Sequence, residues 1–470
     1  MVEPRPGVVS PHRVVFHSYA LLVAAAVAYA AYMVPLNVND SLKHLFFVET
    51  HDFFYIVYRD LINALGGADW RPLHLPLTQL TYKYLAQGHE HLVFKGILVA
   101  CVFLTVGLFV RVLEVKSWPD VLAAAIALLV LLGHHSFGGA VEAVYPYGVE
   151  IVLLVCQFAV LNILLAREAT RAGEIAAFSI SVFAIVFKEM GGFVGATYIL
   201  GSMLRLPGGT LRSAGALFAA YLAVVCYRFM VSPPSELLAK GAFREHFEVV
   251  LSAAAPVLNI LISDPRVGQF VTIPQAVAGK PWAIIYFTSS LFLSILILVW
   301  AWSTSRQADE SYRQEHKVAV IFLVVLLGSA MFGPFSNKDY VPIVALAMYS
   351  VVSFYALRWF FAEALQVKRL AVYAVLVALA AGFSLSWSVR AAGLIYYLRQ
   401  VSFAYQREWA FGLDRLARTH EFSPSITQPL IARLRPEALS PPLNHPHLVY
   451  PRMITHFMRG RDCPEACQLR

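Results

Sequence analysis

Long stretches without a charged side chain are the feature that most constrains the fold of this 470-residue chain. The first of them, residues 14–36, contains no Asp, Glu, Lys or Arg and is as long as a membrane-spanning helix, which needs about 20 residues. Over the whole chain, 59% of the residues are hydrophobic and only 14% are charged. This balance excludes an ordinary soluble enzyme. The sequence therefore predicts an all-α polytopic membrane protein.

About eleven apolar segments are predicted to be transmembrane helices. They cover residues 14–36, 91–113, 120–133, 148–166, 175–187, 190–204, 211–231, 282–304, 318–332, 340–361 and 370–394. Several are shorter than about 20 residues, so we expect tilted, broken or paired half-helices among them. Residues 1–394 form the predicted transmembrane domain, and residues 395–470 form a small C-terminal extension.

Basic residues occur in every second connection and predict the orientation of the chain. They precede the first span and recur in alternate connections as far as Lys368 and Arg369. The positive-inside rule makes these connections cytoplasmic, together with the amino terminus. The net charge of +8 is then an orientation signal and implies no nucleic-acid partner. Residues 37–90, residues 233–281 and the C-terminal extension are expected on the outer face of the plasma (inner) membrane, where Cys463 and Cys467 could form a disulfide.

The first outer loop holds the densest polar chemistry. Asp40 follows the first span, and His44, four residues later, could share a helical face with it next to Asp52. Asp40 could be a general base, a divalent-metal ligand together with His44 and Asp52, or a plain interfacial cap. Residues 41–65 mix apolar and charged side chains as amphipathic helices in the membrane interface do.

Trp70 and Arg71 precede the second predicted span. Trp70 suits the depth of the membrane interface. Arg71 could offer a bidentate fork to a phosphate or carboxylate, or it could be an interfacial anchor paired with Asp69. Later in the chain, Lys338 and Tyr340 begin a predicted span on the outer side. Lys338 could offer positive charge at the level of the lipid headgroups, or its side chain could merely extend to the membrane interface.

Two further segments carry charge where the chain is otherwise apolar. Glu142 lies in a short outer connection beside aromatic residues, which could stack on a sugar or rest at the interface. Lys188 and Glu189 interrupt the stretch 175–204, and ionisable residues are costly within such a span. The orientation requires an outer turn there, near Gly191, between two half-spans. Lys188 could neutralise a lipid phosphate or form a buried structural salt bridge.

The order of these motifs resembles the multispanning glycosyltransferases of the GT-C fold, in particular the transmembrane O-mannosyltransferases that carry tetratricopeptide repeats. The resemblance implies a sugar donor on a polyprenyl or dolichyl phosphate and inverting transfer on the outer face. Asp40 matches the catalytic aspartate that deprotonates the acceptor hydroxyl, and Arg71, Lys188 and Lys338 match positions near the donor phosphate. The residues assigned to shaping the site or binding the acceptor are His44, Asp52, Trp70, Glu142, Glu189 and Tyr340.

The resemblance leaves the acceptor and the cofactor open. The extension is too short for a tetratricopeptide array, so a glycan, a lipid or a protein could accept the sugar. The residues specify no cofactor, and a divalent metal could assist Asp40. Two other classes stay open: a polysaccharide polymerase or ligase using arginines of the loop 233–281, and a multispanning transporter or flippase with polar groups at the membrane midplane.

Overall fold

A computed structural model describes residues 10–34, 48, 51–65, 72–86, 89–142, 148–231, 254, 256–261, 281–307, 310–330, 342–366 and 370–419. In these ranges every regular element is helical and there is no strand. The helices are α1 (Pro11–Tyr32), α2 (Phe53–Leu65), α3 (His74–Leu80), α4 (Glu90–Val112), α5 (Trp118–Gly133), α6 (His135–Glu142), α7 (Val149–Leu164), α8 (Arg171–Phe187), α9 (Gly192–Met203), α10 (Leu211–Val231), α11 (Pro281–Thr304), α12 (Glu310–Ser329), α13 (Ile343–Gln366) and α14 (Leu370–Thr419).

Local sequence signals set the start of several helices. Ser117 and Asp120 form a reciprocal capping box at the start of α5, where each side chain accepts a hydrogen bond from the other residue's backbone. Thr170 caps α8 by accepting from the Gly173 amide at 3.1 Å. After these caps the helices consist almost entirely of apolar residues. Because the backbone is helical, its polar groups bond to one another within each helix, as a membrane interior requires.

Among the residues that the structure describes, four helices are long and apolar enough to cross a membrane, which makes this a helical membrane protein. They are Pro11–Tyr32, His91–Val112, Ile343–Ala364 and Val372–Tyr396. A fifth span results if the pair Trp118–Gly133 and His135–Val141, bent by 51°, counts as one. Every predicted apolar segment overlaps a described helix, but the predicted count of eleven spans remains a prediction.

Helix α13 forms the centre of the bundle. In the most apolar stretch of α13, 83% is buried inside the protein, whereas in that of α14 only 6% is buried. α13 contacts α5, α7, α11 and α12. The difference follows from position, because a central helix is covered by protein while a peripheral one presents most of its surface to lipid.

Several basic connections lie together at one end of the bundle, which we call the basic end (residues 113–117, 165–170, 204–210 and 305–307). Arg13 Nε donates to the Val115 carbonyl at 3.4 Å. Lys317 Nζ donates to the Arg205 carbonyl at 3.1 Å. The contacts thus bring together connections that the sequence predicts on one side of the membrane.

Helices α8 and α9 form an antiparallel hairpin. The Gly208 amide, after α9, donates to the Leu164 carbonyl before α8 at 3.0 Å. Ser213, at the start of α10, donates to Glu174 at the start of α8 at 2.9 Å. Both contacts place the open ends of the hairpin at the basic end, so the turn at Gly191 lies at the opposite end. The predicted turn between two half-spans is therefore present.

Helix α14 continues without a break across the predicted boundary at residue 394. It contains 50 residues and ends at Thr419. The C-terminal extension therefore begins inside a helix, and its remainder, including Cys463 and Cys467, lies outside the described residues.

Helix α2 has the two-sided character expected of an interfacial helix. Ile56 is fully buried, whereas Phe54 is 79% exposed and Tyr58 is 67% exposed. Large aromatic side chains pointing away from the protein suit a membrane interface. The earlier part of the predicted amphipathic region, residues 41–47, lies outside the described residues.

Candidate functional site

A buried ion pair holds the turn of the α8–α9 hairpin. Lys188 Nζ contacts Glu150 Oε1, with Lys188 5% exposed and Glu150 fully buried. Glu150 lies in the first turn of α7, where the helix dipole stabilises a carboxylate. Because α7 and α8 are adjacent antiparallel helices, their facing ends bring these two charges together. The pair offsets the cost of burying either charge alone.

The pairing agrees with the structural role considered for Lys188. Its ammonium group already has an anionic partner in Glu150, so a phosphate would share or replace that partner. Glu189, next in the chain, begins the short 3-10 turn Glu189–Gly191 and is partly buried.

The segment 72–86, from the predicted first outer loop, reaches this turn through α3. The ring of His74 meets the ring of Phe187 edge to face, with centroids 5.4 Å apart, and His74 is fully buried. Phe187 is the residue directly before Lys188. Residues 72–86 of the loop therefore pack beside the segment that carries the ion pair.

Other contacts fasten the loop. Lys83 Nζ donates to the carbonyls of Val48, at 2.8 Å, and His51. His51 stacks on Tyr55 with ring centroids 4.3 Å apart. Asp52 Oδ1 accepts from the Tyr55 amide at 2.7 Å, so this carboxylate caps α2.

The structure describes only part of the predicted site. Glu142 ends α6, and only its backbone is described. The predicted site residues outside the described ranges are Asp40, His44, Trp70, Arg71, Lys338 and Tyr340. Within those ranges no three His, Cys, Asp or Glu side chains could hold a metal ion together. The predicted metal ligands Asp40 and His44 lie outside those ranges.

A second cluster of buried polar residues surrounds Arg390 of α14. Arg390 is fully buried, and its NH1 donates to Ser289 Oγ at 2.8 Å and Ser290 Oγ at 2.6 Å. The guanidinium lies 4.0 Å from the centroid of the Trp387 ring, within range of a cation–π interaction. A guanidinium is thus placed among hydroxyl groups inside an otherwise apolar span.

Two stacked histidines complete this cluster. The rings of His134 and His135 lie 4.4 Å apart at the bend between α5 and α6. The Ser136 amide donates to His134 Nδ1 at 3.1 Å. Ser136 Oγ lies 3.5 Å from Asn259 Oδ1, and the Asn259 side chain also hydrogen-bonds His135. We call His134, His135, Asn259, Ser289, Ser290 and Arg390 the arginine cluster.

The arginine cluster lies at the end of the bundle away from the basic end. A Cβ atom on Gly133 would come within 3.0 Å of the Ala391 amide nitrogen, so the end of α5 abuts α14 beside Arg390. Because α5 starts near the basic end, where the ring of Trp118 contacts that of His12, its far end lies on the opposite side.

Sequence reasoning overlooked the contribution of Glu150 and Arg390. The signal was present, since each is an isolated charge within a predicted apolar segment, at residues 148–166 and 370–394. Their partners could not be read from the sequence, because Glu150 and Lys188 belong to different helices, as do Arg390 and its two serines.

The basic end has its own charged contacts. Glu315 of α12 pairs with Arg358 of α13, whose guanidinium also lies 5.8 Å from the Tyr355 ring centroid. Glu114 pairs with Lys116, and the hydrogen bond from Lys116 lowers the pKa of the Glu114 carboxyl. The Glu315–Arg358 pair joins α12 to α13 at that end, whereas the Glu114–Lys116 pair lies within one connection and is well exposed to solvent.

No family model matches the chain, and no curated protein or solved structure is detectably similar to it. The resemblance to GT-C glycosyltransferases therefore depends on the short sequence motifs alone. The helical architecture and the two polar clusters stand independently of that resemblance.

Proposed function

We propose that this protein is an inverting glycosyltransferase that moves a sugar from a polyprenyl-phosphate donor to an acceptor hydroxyl. The contact between His74 and Phe187 carries the proposal. His74 follows Arg71 by three residues, and Phe187 precedes Lys188. A residue shortly after Arg71 thus contacts the residue directly before Lys188, at the end of the bundle opposite the basic end.

The proposed orientation makes that end extracytoplasmic. Basic connections face the cytoplasm in membrane proteins, so the basic end is the cytoplasmic one. The amino terminus is then cytoplasmic and the C-terminal extension extracytoplasmic in the plasma membrane. The donor's polyprenyl chain lies among membrane lipids, and its phosphate and sugar reach the protein at the outer interface.

The proposed reaction displaces the lipid phosphate in one step. Asp40 takes the proton of the acceptor hydroxyl, whose oxygen attacks the anomeric carbon. The bond from that carbon to the phosphate oxygen breaks, and its electron pair leaves with the polyprenyl phosphate. Arg71, Lys188 and Lys338 stabilise the negative charge that develops there. Attack opposite to the leaving group inverts the anomeric configuration.

Glu150 gives Lys188 a defined role in this scheme. A lysine buried without a counter-ion is costly, and the Glu150 carboxylate stabilises it while no donor is bound. When a donor phosphate arrives, the ammonium group contacts both anions. His44, Asp52, Trp70, Glu142, Glu189 and Tyr340 are proposed to shape the site or hold the acceptor.

Turnover by purified protein tests the proposal. The protein in lipid nanodiscs is given a panel of polyprenyl-phosphate sugars, and release of polyprenyl phosphate is measured. Asp40→Asn should lower the rate at least about 100-fold, as loss of a general base does. Glu114→Gln, at the basic end, makes the same carboxylate-to-amide change and should leave the rate unchanged. An Asp40→Asn variant as active as wild type would remove the base assignment.

The buried Lys188–Glu150 pair also favours a second candidate function, a transporter. Ionisable residues within apolar segments mark substrate pathways in many transporters. Uptake of an intact lipid-linked sugar or a soluble sugar phosphate into proteoliposomes, with no chemical change, would favour transport over transfer.

A further inference from the structure

An exposed arginine lies beside an exposed tryptophan at the basic end, opposite the proposed site of sugar transfer. Arg13 lies in the first turn of α1, and Trp118 begins α5, which packs against α1. The two helix starts are in direct contact, since the ring of His12 meets that of Trp118 edge to face with centroids 4.7 Å apart. We call Arg13, Lys116 and Trp118 the α1–α5 surface.

Arg13 is held in place but keeps most of its hydrogen-bond donors for an outside ligand. Its Nε donates to the Val115 carbonyl at 3.4 Å, which positions the guanidinium beside the connection 113–117. Arg13 is exposed, and within the part of the chain that the structure describes no carboxylate pairs with it. Both terminal nitrogens can therefore donate to an anion, in the bidentate manner that suits a phosphate.

Lys116 places a second positive charge next to this guanidinium. It follows Val115 in the chain, and its ammonium group pairs with Glu114, with both side chains about two-thirds exposed, at 67% and 68%. An exposed ion pair of this kind contributes little free energy, so Lys116 can turn to an arriving anion at small cost. Glu114 keeps cationic neighbours when that happens, because Arg358 and Arg167 also lie close to it.

Apolar side chains continue from these charges along the lipid-facing side of the bundle. Val14 and Val15, in the first span, are 49% and 45% exposed, and Leu122, one turn after Trp118, is 40% exposed. Trp118 is itself 56% exposed, as indole rings at a membrane interface are. The α1–α5 surface thus offers positive charge at the level of the lipid headgroups, next to an apolar surface that acyl chains can cover.

We infer that the α1–α5 surface binds an anionic phospholipid from the membrane leaflet next to the basic end. The lipid phosphate accepts hydrogen bonds from the terminal nitrogens of Arg13, Lys116 adds a second cation, and the acyl chains lie against the exposed side of α1. Phosphatidylcholine brings its own positive charge into this basic surrounding, whereas phosphatidylglycerol carries only negative charge and fits better. The site needs neither Asp40 nor a sugar donor, so it is independent of the proposed reaction.

Native mass spectrometry of the full-length protein in detergent tests the inference. The protein is titrated with dioleoylphosphatidylglycerol and, separately, with dioleoylphosphatidylcholine, which has the same acyl chains. We expect the first phosphatidylglycerol to bind at least about tenfold more tightly, because its hydrogen bonds are charge-assisted and meet no like charge. An excess of glycerol 1-phosphate, which lacks acyl chains, should not displace the lipid. Displacement would overturn the inference by making a soluble anion the ligand.

Two arginine variants locate the site. Arg13→Gln should remove the preference for phosphatidylglycerol, because the donors to its phosphate are lost. The control is Arg212→Gln, which removes the same charge from an exposed position at the start of α10 and should leave the preference unchanged. An equal loss in both variants would contradict the inference, since it would show that only the total charge of the basic end matters.

Arg13→Lys keeps the test decisive if Arg13→Gln alters folding or orientation. Lysine retains the positive charge before the first span, but it cannot donate from a planar fork and should weaken phosphatidylglycerol binding about threefold or more. Equal binding of the two lipids by wild type, or wild-type binding in both Arg13 variants, would overturn the inference. Protein that binds phosphatidylglycerol in this way but transfers no sugar leaves the inference standing and removes only the proposed glycosyltransferase.

Discussion

At the scale of single residues, Glu150, Lys188 and Arg390 are buried charges that each meet a partner from another helix. Lys188 and Glu150 join α8 to α7, and Arg390 joins α14 to α11 through Ser289 and Ser290. Such contacts determine which helices are neighbours. A charge left without a partner in an apolar interior costs far more free energy than a leucine that packs against a different helix.

The Lys188–Glu150 pair predicts a strong dependence of each residue on the other. Glu150→Gln leaves the Lys188 charge without its carboxylate partner and should lower the free energy of unfolding by about 3 kcal/mol. The double variant Glu150→Leu with Lys188→Met removes both charges and should cost less than Glu150→Leu alone or Lys188→Met alone. Denaturant titration in detergent measures the difference. Additive effects of the two single changes would show that the residues are not coupled.

At the scale of elements, the α8–α9 hairpin depends on close backbone contact at its turn. A Cβ atom on Gly191 would overlap the Ala184 carbonyl, whereas one on Gly192 would meet only Ile185 Cδ1 at 3.9 Å. Only glycine therefore fits at the first position, which lets the chain reverse within a few residues after Lys188.

Neighbouring glycines provide a matched pair of substitutions. Gly191→Ala should destabilise the protein by roughly 1–3 kcal/mol, since backbone atoms must shift to admit the methyl group. Gly192→Ala should leave stability nearly unchanged or raise it slightly, because alanine favours the helical conformation. Melting temperatures of the two variants in detergent give the comparison. Equal melting temperatures would mean that the Gly191 contact does not hold the turn.

Apolar patterning was sufficient to predict most helices but not their true ends. The predicted segment 370–394 stops where apolar residues thin out, yet α14 continues to Thr419. The reason is that hydropathy measures the length that lies in lipid, whereas residues such as Ala, Leu and Arg prolong a helix into water equally well. The hairpin turn near Gly191, which the alternation of basic connections predicts, is present. The Glu150 and Arg390 contacts needed the tertiary arrangement of helices.

At the scale of the whole molecule, the two ends of the bundle differ in chemistry. Basic connections gather at one end, and the Lys188–Glu150 pair and the arginine cluster lie towards the other. The segment 72–86 contacts the second end through His74, and Lys83 ties this segment to Val48 within the same loop. A membrane protein with this polarity can perform distinct tasks on the two faces of the membrane.

Cysteine labelling on intact cells tests the proposed orientation. The five native cysteines are replaced by alanine, and one new cysteine is introduced at Ser305 or at His89. Ser305 is exposed at the basic end, whereas His89 is exposed at the other, near the contact between Tyr32 and His91. A membrane-impermeant maleimide should label His89→Cys and spare Ser305→Cys until the cells are lysed. The reverse pattern would invert the topology and place the proposed site in the cytoplasm.

The length of α14 has a consequence for how the protein meets its surroundings. Its apolar window ends at Tyr396, and the helix continues to Thr419. At about 1.5 Å per residue this continuation measures roughly 35 Å along its axis, slightly more than the hydrocarbon thickness of a bilayer. α14 therefore projects far beyond its apolar part. Whatever follows Thr419 in the chain is attached about one membrane thickness, along the helix axis, from the end of that apolar part at Tyr396.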